Sequence, residues 1–86
     1  MDRYFFHTAD GALVCDEEGV ELPSLDVARE EGARLMAELL RDDPHEFWGP
    51  DGLKLSVTDA SGLLLFELST QAVEAPSISQ HRSARS

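Results

Sequence analysis

Four short runs of the chain are rich in apolar residues, two before and two after one longer periodic stretch, and in one of them, residues 53–58, apolar and polar residues alternate. Alternation with a period of two is typical of β-strands that have one buried face. The first two runs, residues 4–8 and 12–15, are separated by an Asp-Gly dipeptide, which favours a hairpin turn. The last two, residues 53–58 and 63–68, are separated by a short loop that ends in glycine. The pattern therefore predicts two β-hairpins.

The longer stretch, residues 25–41, repeats its apolar residues at intervals of three and four, which predicts an amphipathic helix. Ser24 precedes it and can cap its first turn, because the hydroxyl accepts a free amide there. On the polar side, Glu30 and Arg34 are spaced for an i,i+4 ion pair. Glycine inside a helix costs about 1 kcal/mol relative to alanine, so Gly32 predicts a close approach of the helix to the sheet. The predicted buried face comprises Leu25, Ala28, Gly32, Leu35, Met36 and Leu39.

These elements predict an α+β fold of order β-β-α-β-β, an antiparallel sheet with one helix packed across one face. Between the first hairpin and the helix, Gly19 closes a predicted turn and residues 20–22 return briefly to an extended path. Residues 44–52 are predicted to form a loop that contains Phe47 and Trp48. We expect residues 1–75 to form a single compact domain and residues 76–86 a disordered tail, since the tail lacks apolar periodicity.

Four short motifs accompany this pattern: R-Y-F-F-H at residues 3–7, D-E-E-G-V-E-L at 16–22, A-R-E-E-G at 28–32 and V-T-D-A-S-G at 57–62. In these motifs the chain resembles a family of short, uncharacterised bacterial proteins, a domain-of-unknown-function family. The resemblance covers residues 1 to about 70. Gly32 departs from it, because the family more often has alanine there. The resemblance implies the fold and no catalytic residue, cofactor or ligand.

Charge narrows the choice of partners. The chain has 17 acidic and seven basic residues and a formal net charge of −10. All the acidic residues lie in residues 1–75, so the domain repels phosphate groups, and we expect no direct binding to nucleic acid or to an anionic membrane. The single cysteine, Cys15, excludes an internal disulfide. With no leader sequence and no apolar run long enough to span a membrane, we expect a cytoplasmic protein.

Two acidic clusters are candidates for metal binding. Residues 16–21 hold four carboxylates, but their spacing differs from that of a calcium-binding loop, and a solvated turn is the more ordinary interpretation. In that turn Glu21 is a candidate anchor. Residues 42–46 combine His45 with three carboxylates on a loop, too few fixed ligands for a closed site. We therefore expect no metal and no cofactor.

Two further residues are candidates for catalysis. His7 lies in the first strand and acts as a general base if a carboxylate from a neighbouring strand orients it. A half-buried, hydrogen-bonded strand histidine is the more common case. Cys15 lies among acidic residues, which does not favour a reactive thiolate. No phosphate-binding glycine loop, nucleophile motif or dinucleotide fingerprint is present. We expect no catalytic residue and no enzyme.

The predicted sheet has apolar residues on both faces, whereas one helix covers one face. The alternation places Phe5, Leu63 and Leu65 on the second face, and we expect these residues to form an interface. A homodimer through this face is the interpretation we favour. The alternative is that the chain itself covers the face, with Phe47, Trp48 or the segment around Val73.

Function itself is left open by the sequence, and so are the physiological partner and pathway. We favour a small, non-enzymatic protein-binding or regulatory module with an unidentified protein partner. The alternative is an acidic mimic of nucleic acid, or an antitoxin-like inhibitor, that occupies a basic groove on a target protein. A small enzyme or metal-dependent factor is the least favoured of the three.

Overall fold

A computed structural model describes residues 1–9, 13–49 and 51–76. The strands and helices follow the predicted order, with one additional short strand and one additional short helix. They are β1 (Asp2–Ala9), β2 (Leu13–Val14), β3 (Val20–Leu22), α1 (Leu25–Asp42), α2 (Pro44–Phe47), β4 (Lys54–Thr58) and β5 (Leu64–Ser69). The predicted α+β class, an antiparallel sheet with one main helix packed against it, is confirmed.

The sheet has the strand order β2-β1-β4-β5, and every pairing in it is antiparallel. β2 pairs with the end of β1, where Thr8 lies opposite Val14. β3 pairs with its beginning, where Tyr4 lies opposite Val20. β2 and β3 thus serve as two pieces of one interrupted partner strand, and the turn between them lies beside the middle of β1.

Helix α1 and one face of the sheet enclose the core. Six apolar residues of the described ranges are buried there: Tyr4, Ala28, Met36, Leu53, Leu55 and Val57. A Cβ at Gly32 would lie 3.3 Å from Cε2 of Phe66 and 3.4 Å from Cδ1 of Leu68, so the predicted close approach of helix and sheet is confirmed. Because side chains alternate across a strand, the opposite set points to the other side of the sheet. We call that side the open face; it carries Phe5, His7, Lys54, Ser56, Thr58, Leu64, Glu67 and Ser69.

A β-bulge changes the pattern in β5. Val57 lies opposite Phe66, but Thr58 lies opposite Leu64, so Leu65 is an extra residue in this strand. Leu64 therefore shares the open face with Thr58, although simple alternation groups it with Phe66. Leu65 is half-buried and packs against the core. The predicted placement of Leu65 on the second face is wrong, because a bulge shifts the alternation by one residue.

Helix α1 begins as predicted, since Oγ of Ser24 accepts the amide of Val27 at 3.2 Å. Two details differ. Leu25, predicted to be buried, is 38% exposed in the first turn. Arg34 pairs with Glu31 at 2.6 Å, one residue nearer in sequence than the predicted Glu30. Either spacing brings two side chains together on a helix surface.

The predicted loop after α1 contains the short helix α2, which begins at Pro44. Proline is favoured in a first helical turn because its φ is already helical and its missing amide is not needed there. Gly62 has a φ of 88° and Gly19 a φ of 69°, as their predicted turns require. The Asp10-Gly11 turn and residues 77–86 of the predicted tail lie outside the described residues. No helix in the described ranges is long and apolar enough to cross a membrane.

Candidate functional site

The two N-terminal motifs, residues 3–7 and 16–22, meet where β1 lies beside the turn between β2 and β3. Nη1 of Arg3 donates to the carbonyl oxygen of Glu18 at 2.8 Å, and Nη2 lies 3.3 Å from Oε1 of Glu21. Both side chains of this ion pair are exposed, so its contribution to stability is small. Glu21, a candidate anchor from the sequence, thus holds the turn to the start of β1.

Asp16 is the centre of this arrangement. Its Oδ2 accepts the amide of Phe6 at 3.2 Å, and its Oδ1 accepts the amides of Glu18 and Gly19 at 3.1 Å each. Burial raises the pKa of the carboxyl, but the three amide hydrogen bonds and the nearby His7 ring lower it by more. The pKa of Asp16 therefore lies below its ordinary value of 3.8. One carboxylate fixes the turn and satisfies an amide of β1.

Gly19 allows β1 and the turn to approach this closely. A Cβ at this position would lie 2.9 Å from the carbonyl oxygen of Tyr4 and 2.9 Å from Cε2 of Phe5. The positive φ is a second obstacle to any other residue. Phe5 is half-buried on the open face as a consequence.

Within the described part of the chain, the His7 ring makes two hydrogen bonds, neither of them to a carboxylate. The amide of Asp16 donates to Nδ1 at 3.0 Å, and Nε2 lies 3.0 Å from Oγ1 of Thr58. Because Nδ1 accepts the hydrogen bond from the Asp16 amide, the proton of the neutral ring is on Nε2, and Nε2–H donates to Oγ1 of Thr58. In this tautomer His7 has no free lone pair with which to take a proton from that hydroxyl. The alternation places Thr58 among the outward residues, but its pairing with His7 depends on the β1–β4 register, which the sequence pattern leaves open.

In the described part of the chain, no group of three or more His, Cys, Asp and Glu side chains is arranged to hold a metal ion. Asp42 lies 3.7 Å from Nε of Arg41. Cys15 is exposed and is a free thiol.

The open face has an apolar row of side chains with a hairpin at its end, and Leu13, which is 69% exposed, lies on the same face opposite Ala9. Phe5, Thr58 and Leu64 lie side by side across β1, β4 and β5. Leu64 is 55% exposed, and Leu63, the residue before it, is 62% exposed. We call Phe5, Leu63 and Leu64 the apolar strip. The strip includes Phe5 and Leu63, two of the three residues that the sequence predicts to form an interface. That they form an interface stays a prediction.

The loop that presents the strip is fixed by Asp59. Its Oδ1 accepts the hydroxyl and the amide of Ser61 at 2.6 and 2.8 Å and the amide of Leu63 at 3.0 Å. These bonds, led by the one from the Ser61 hydroxyl, hold the pKa of Asp59 below its ordinary value. The hairpin therefore projects Leu63 and Leu64 from a well-defined turn.

The aromatic residues proposed as an internal cover of the second face lie partly in solvent. Trp48 is 59% exposed and packs edge-on against Phe47, with ring centroids 5.7 Å apart. It lines an open cavity of about 590 Å³ with His45, Ala72 and Glu74. Val73 is 75% exposed. Neither Trp48 nor Val73 is therefore buried against the apolar strip.

Comparisons with known proteins place the chain in a family without assigning an activity. No curated protein and no solved structure matches it. A family model described as a domain of unknown function, DUF6894, matches residues 3–71. This range contains the two N-terminal motifs, residues 3–7 and 16–22, together with helix α1 and strands β4 and β5. The chain belongs to the DUF6894 family, whose function is unknown.

Proposed function

We propose that the protein is a small, non-enzymatic protein-binding or regulatory module of the cytoplasm that acts through protein contacts, with a second copy of itself as one partner. The observation that carries the proposal is the apolar strip, in which Leu63 and Leu64 are more than half exposed. Adjacent exposed apolar side chains commonly mark surfaces that bind other proteins. Two of its residues, Phe5 and Leu64, lie on the face of the sheet opposite helix α1, and Leu63 lies in the adjoining hairpin loop.

The bonding of the candidate chemical groups supports a role in contact rather than in catalysis. Asp16 uses both carboxylate oxygens to accept backbone amides. His7 donates its Nε2 proton to Thr58 instead of accepting one. These groups hold β1, β4 and the turn together, and so they provide a rigid support for the apolar strip.

The test is the oligomeric state in solution. Light scattering on the wild-type chain should give twice the mass of 9.5 kDa, and Leu64→Glu should give the monomer mass. Val73→Glu is the matched control, since it adds the same charge at an exposed apolar residue outside the sheet. Leu65→Glu is less suitable because it places a charge against the core. A monomeric wild type would remove self-association from the proposal.

The acidity of the chain favours a second candidate, an inhibitor that mimics nucleic acid. Exposed carboxylates in the turn and on the outer side of α1 form a negative surface. Salt separates the two candidates, because a partner held by charge is released as ionic strength rises, whereas an apolar contact persists. Retention of a captured partner at high salt would count against the mimic. The exposed residues include Glu17, Glu18, Glu21, Asp26, Glu30 and Glu38.

A further inference from the structure

We infer that two copies of the chain pair along the free edge of β5 in an antiparallel ladder, with Glu67 of one copy opposite Ser69 of the other. This inference rests on the self-association in the proposed function and specifies its geometry. The two five-stranded sheets would become one continuous sheet. A two-fold axis would then pass beside Leu68, the residue midway between Glu67 and Ser69.

Backbone groups of β5 are available for such pairing. β5 is the last strand in the order β2-β1-β4-β5, and no strand within the described ranges pairs with its outer edge. The amide of Thr70 donates to the carbonyl of Leu53, which marks a hydrogen-bonded pair. Because such pairs alternate along an antiparallel ladder, the amides and carbonyls of Glu67 and Ser69 point away from β4. These are the groups that a second strand would bind.

Charge distinguishes β5 from the opposite edge of the sheet. The segment that joins β2 to β3 contains Asp16, Glu17 and Glu18, and two copies would repel each other there. β5 contains one charged residue, Glu67, and neither proline nor lysine. Proline and lysine are common devices that prevent pairing at an edge strand. In a chain of net charge −10, β5 is therefore the edge that two copies approach with less repulsion.

The apolar strip alone is too small for a dimer formed face to face. A stable interface typically buries about 800 Å² on each partner. Burying an aromatic side chain removes about 150–250 Å² of surface from solvent, and a leucine side chain removes no more. The strip has three such side chains, of which Phe5 is already half-buried, so together they fall short of this area. Hydrogen bonds along the edge, beside Leu64, would supply the additional contact.

Lys54 selects the register of the ladder. The arginines at positions 3, 29, 34 and 41 each have an ion pair, whereas Lys54 has none within the described part of the chain. Lys54 lies opposite Ser69 on the open face. With the second copy's Glu67 opposite Ser69, the two charges are two strand spacings apart, about 10 Å at the backbone, which both long side chains together can span. Symmetry produces this pair twice, while the register that opposes Glu67 to itself is repulsive.

Charge reversal in the full-length chain tests this pair. Lys54→Glu and Glu67→Lys should each weaken dimerisation about tenfold, because two attractive pairs become repulsive. The double variant restores both pairs and should return dimerisation to the wild-type level. Glu67→Lys is especially informative, since it lowers the net negative charge and would strengthen a dimer limited by general repulsion. Unchanged dimerisation in both single variants would overturn the inference.

Amide hydrogen exchange of the wild type tests the ladder itself. The amides of Glu67 and Ser69 should become protected as protein concentration rises through the dimerisation range. A dimer in which they exchange freely would place the contact on another surface, overturning the edge pairing and leaving the proposed self-association intact. Protection independent of concentration in a monomer would assign the edge to the chain's own residues and overturn the inference. A wild type that is monomeric throughout would overturn both.

Discussion

Oδ2 of Asp16 accepts the backbone amide of Phe6 at 3.2 Å, across the interruption in the edge of the sheet. β2 ends at Val14 and β3 begins at Val20, so the middle of β1 has no ladder partner on that side among the described residues. The carboxylate supplies the acceptor that the missing strand would have offered. The two N-terminal motifs therefore form one structural unit, and Asp16 is the residue on which the unit most depends.

Replacement of Asp16 should destabilise the folded chain. We expect Asp16→Ala to lower the free energy of unfolding by about 1–3 kcal/mol, since three amides lose a charged acceptor. Glu17→Ala is the control because Glu17 is exposed in the same turn. That change should alter the free energy by no more than about 0.5 kcal/mol. Urea denaturation measures both, and equal losses would contradict this role of Asp16.

Lowering the pH should remove the contribution of Asp16 to the stability of the fold. Its pKa is lower in the folded chain than the ordinary value of 3.8, so the folded state favours the charged form. The stabilisation is complete above about that ordinary value and is lost as pH falls through the lower folded pKa. Urea midpoints measured down through this window should fall less steeply for Asp16→Asn than for the wild type. Some slope should persist in the variant, because the pKa of Asp59 is also lowered.

The tautomer of His7 is a direct prediction of the hydrogen-bond geometry. The neutral ring should carry its proton on Nε2, because Nδ1 accepts the amide of Asp16. Nitrogen-proton correlation spectra of the imidazole distinguish the two tautomers. The exposed ring of His45 serves as an internal reference. A proton on Nδ1 of His7 would contradict the arrangement and reopen a role for Nε2 as a base toward Thr58.

Two glycines with positive φ should respond differently to alanine. At Gly62 a Cβ meets no described residue within 4 Å, so Gly62→Ala should cost only the conformational penalty of about 1–2 kcal/mol. At Gly19 the same Cβ would also lie 2.9 Å from a backbone oxygen. Gly19→Ala should therefore cost about 2–5 kcal/mol. Thermal unfolding of both variants shows which substitution destabilises the fold more. A smaller loss of stability in Gly19→Ala would show that the turn can move away from β1.

Local rules account for the parts of the fold that the sequence predicts well. Ser24 caps α1, and Gly62 adopts a positive φ, because each feature depends on a few neighbouring residues. The bonds of the site join residues distant in sequence: His7 and Thr58 are 51 positions apart. Such a pair depends on strand register, which alternation does not determine. The sequence therefore leaves the partners of Asp16 and His7 open, although both residues are visible as candidates.

The bulge in β5 explains why one predicted interface residue, Leu65, packs against the core, and it leads to a prediction for two neighbouring leucines. Alternation with an unbroken period of two places Leu65 outward, whereas the shift between Val57 and Thr58 turns Leu64 outward instead. Leu65→Ala should therefore lower the free energy of unfolding by about 1–3 kcal/mol. Leu64→Ala, at a residue 55% exposed, should change it by no more than about 0.5 kcal/mol. Denaturation at concentrations where the chain is monomeric separates these effects from self-association, and a reversed order would place the bulge elsewhere.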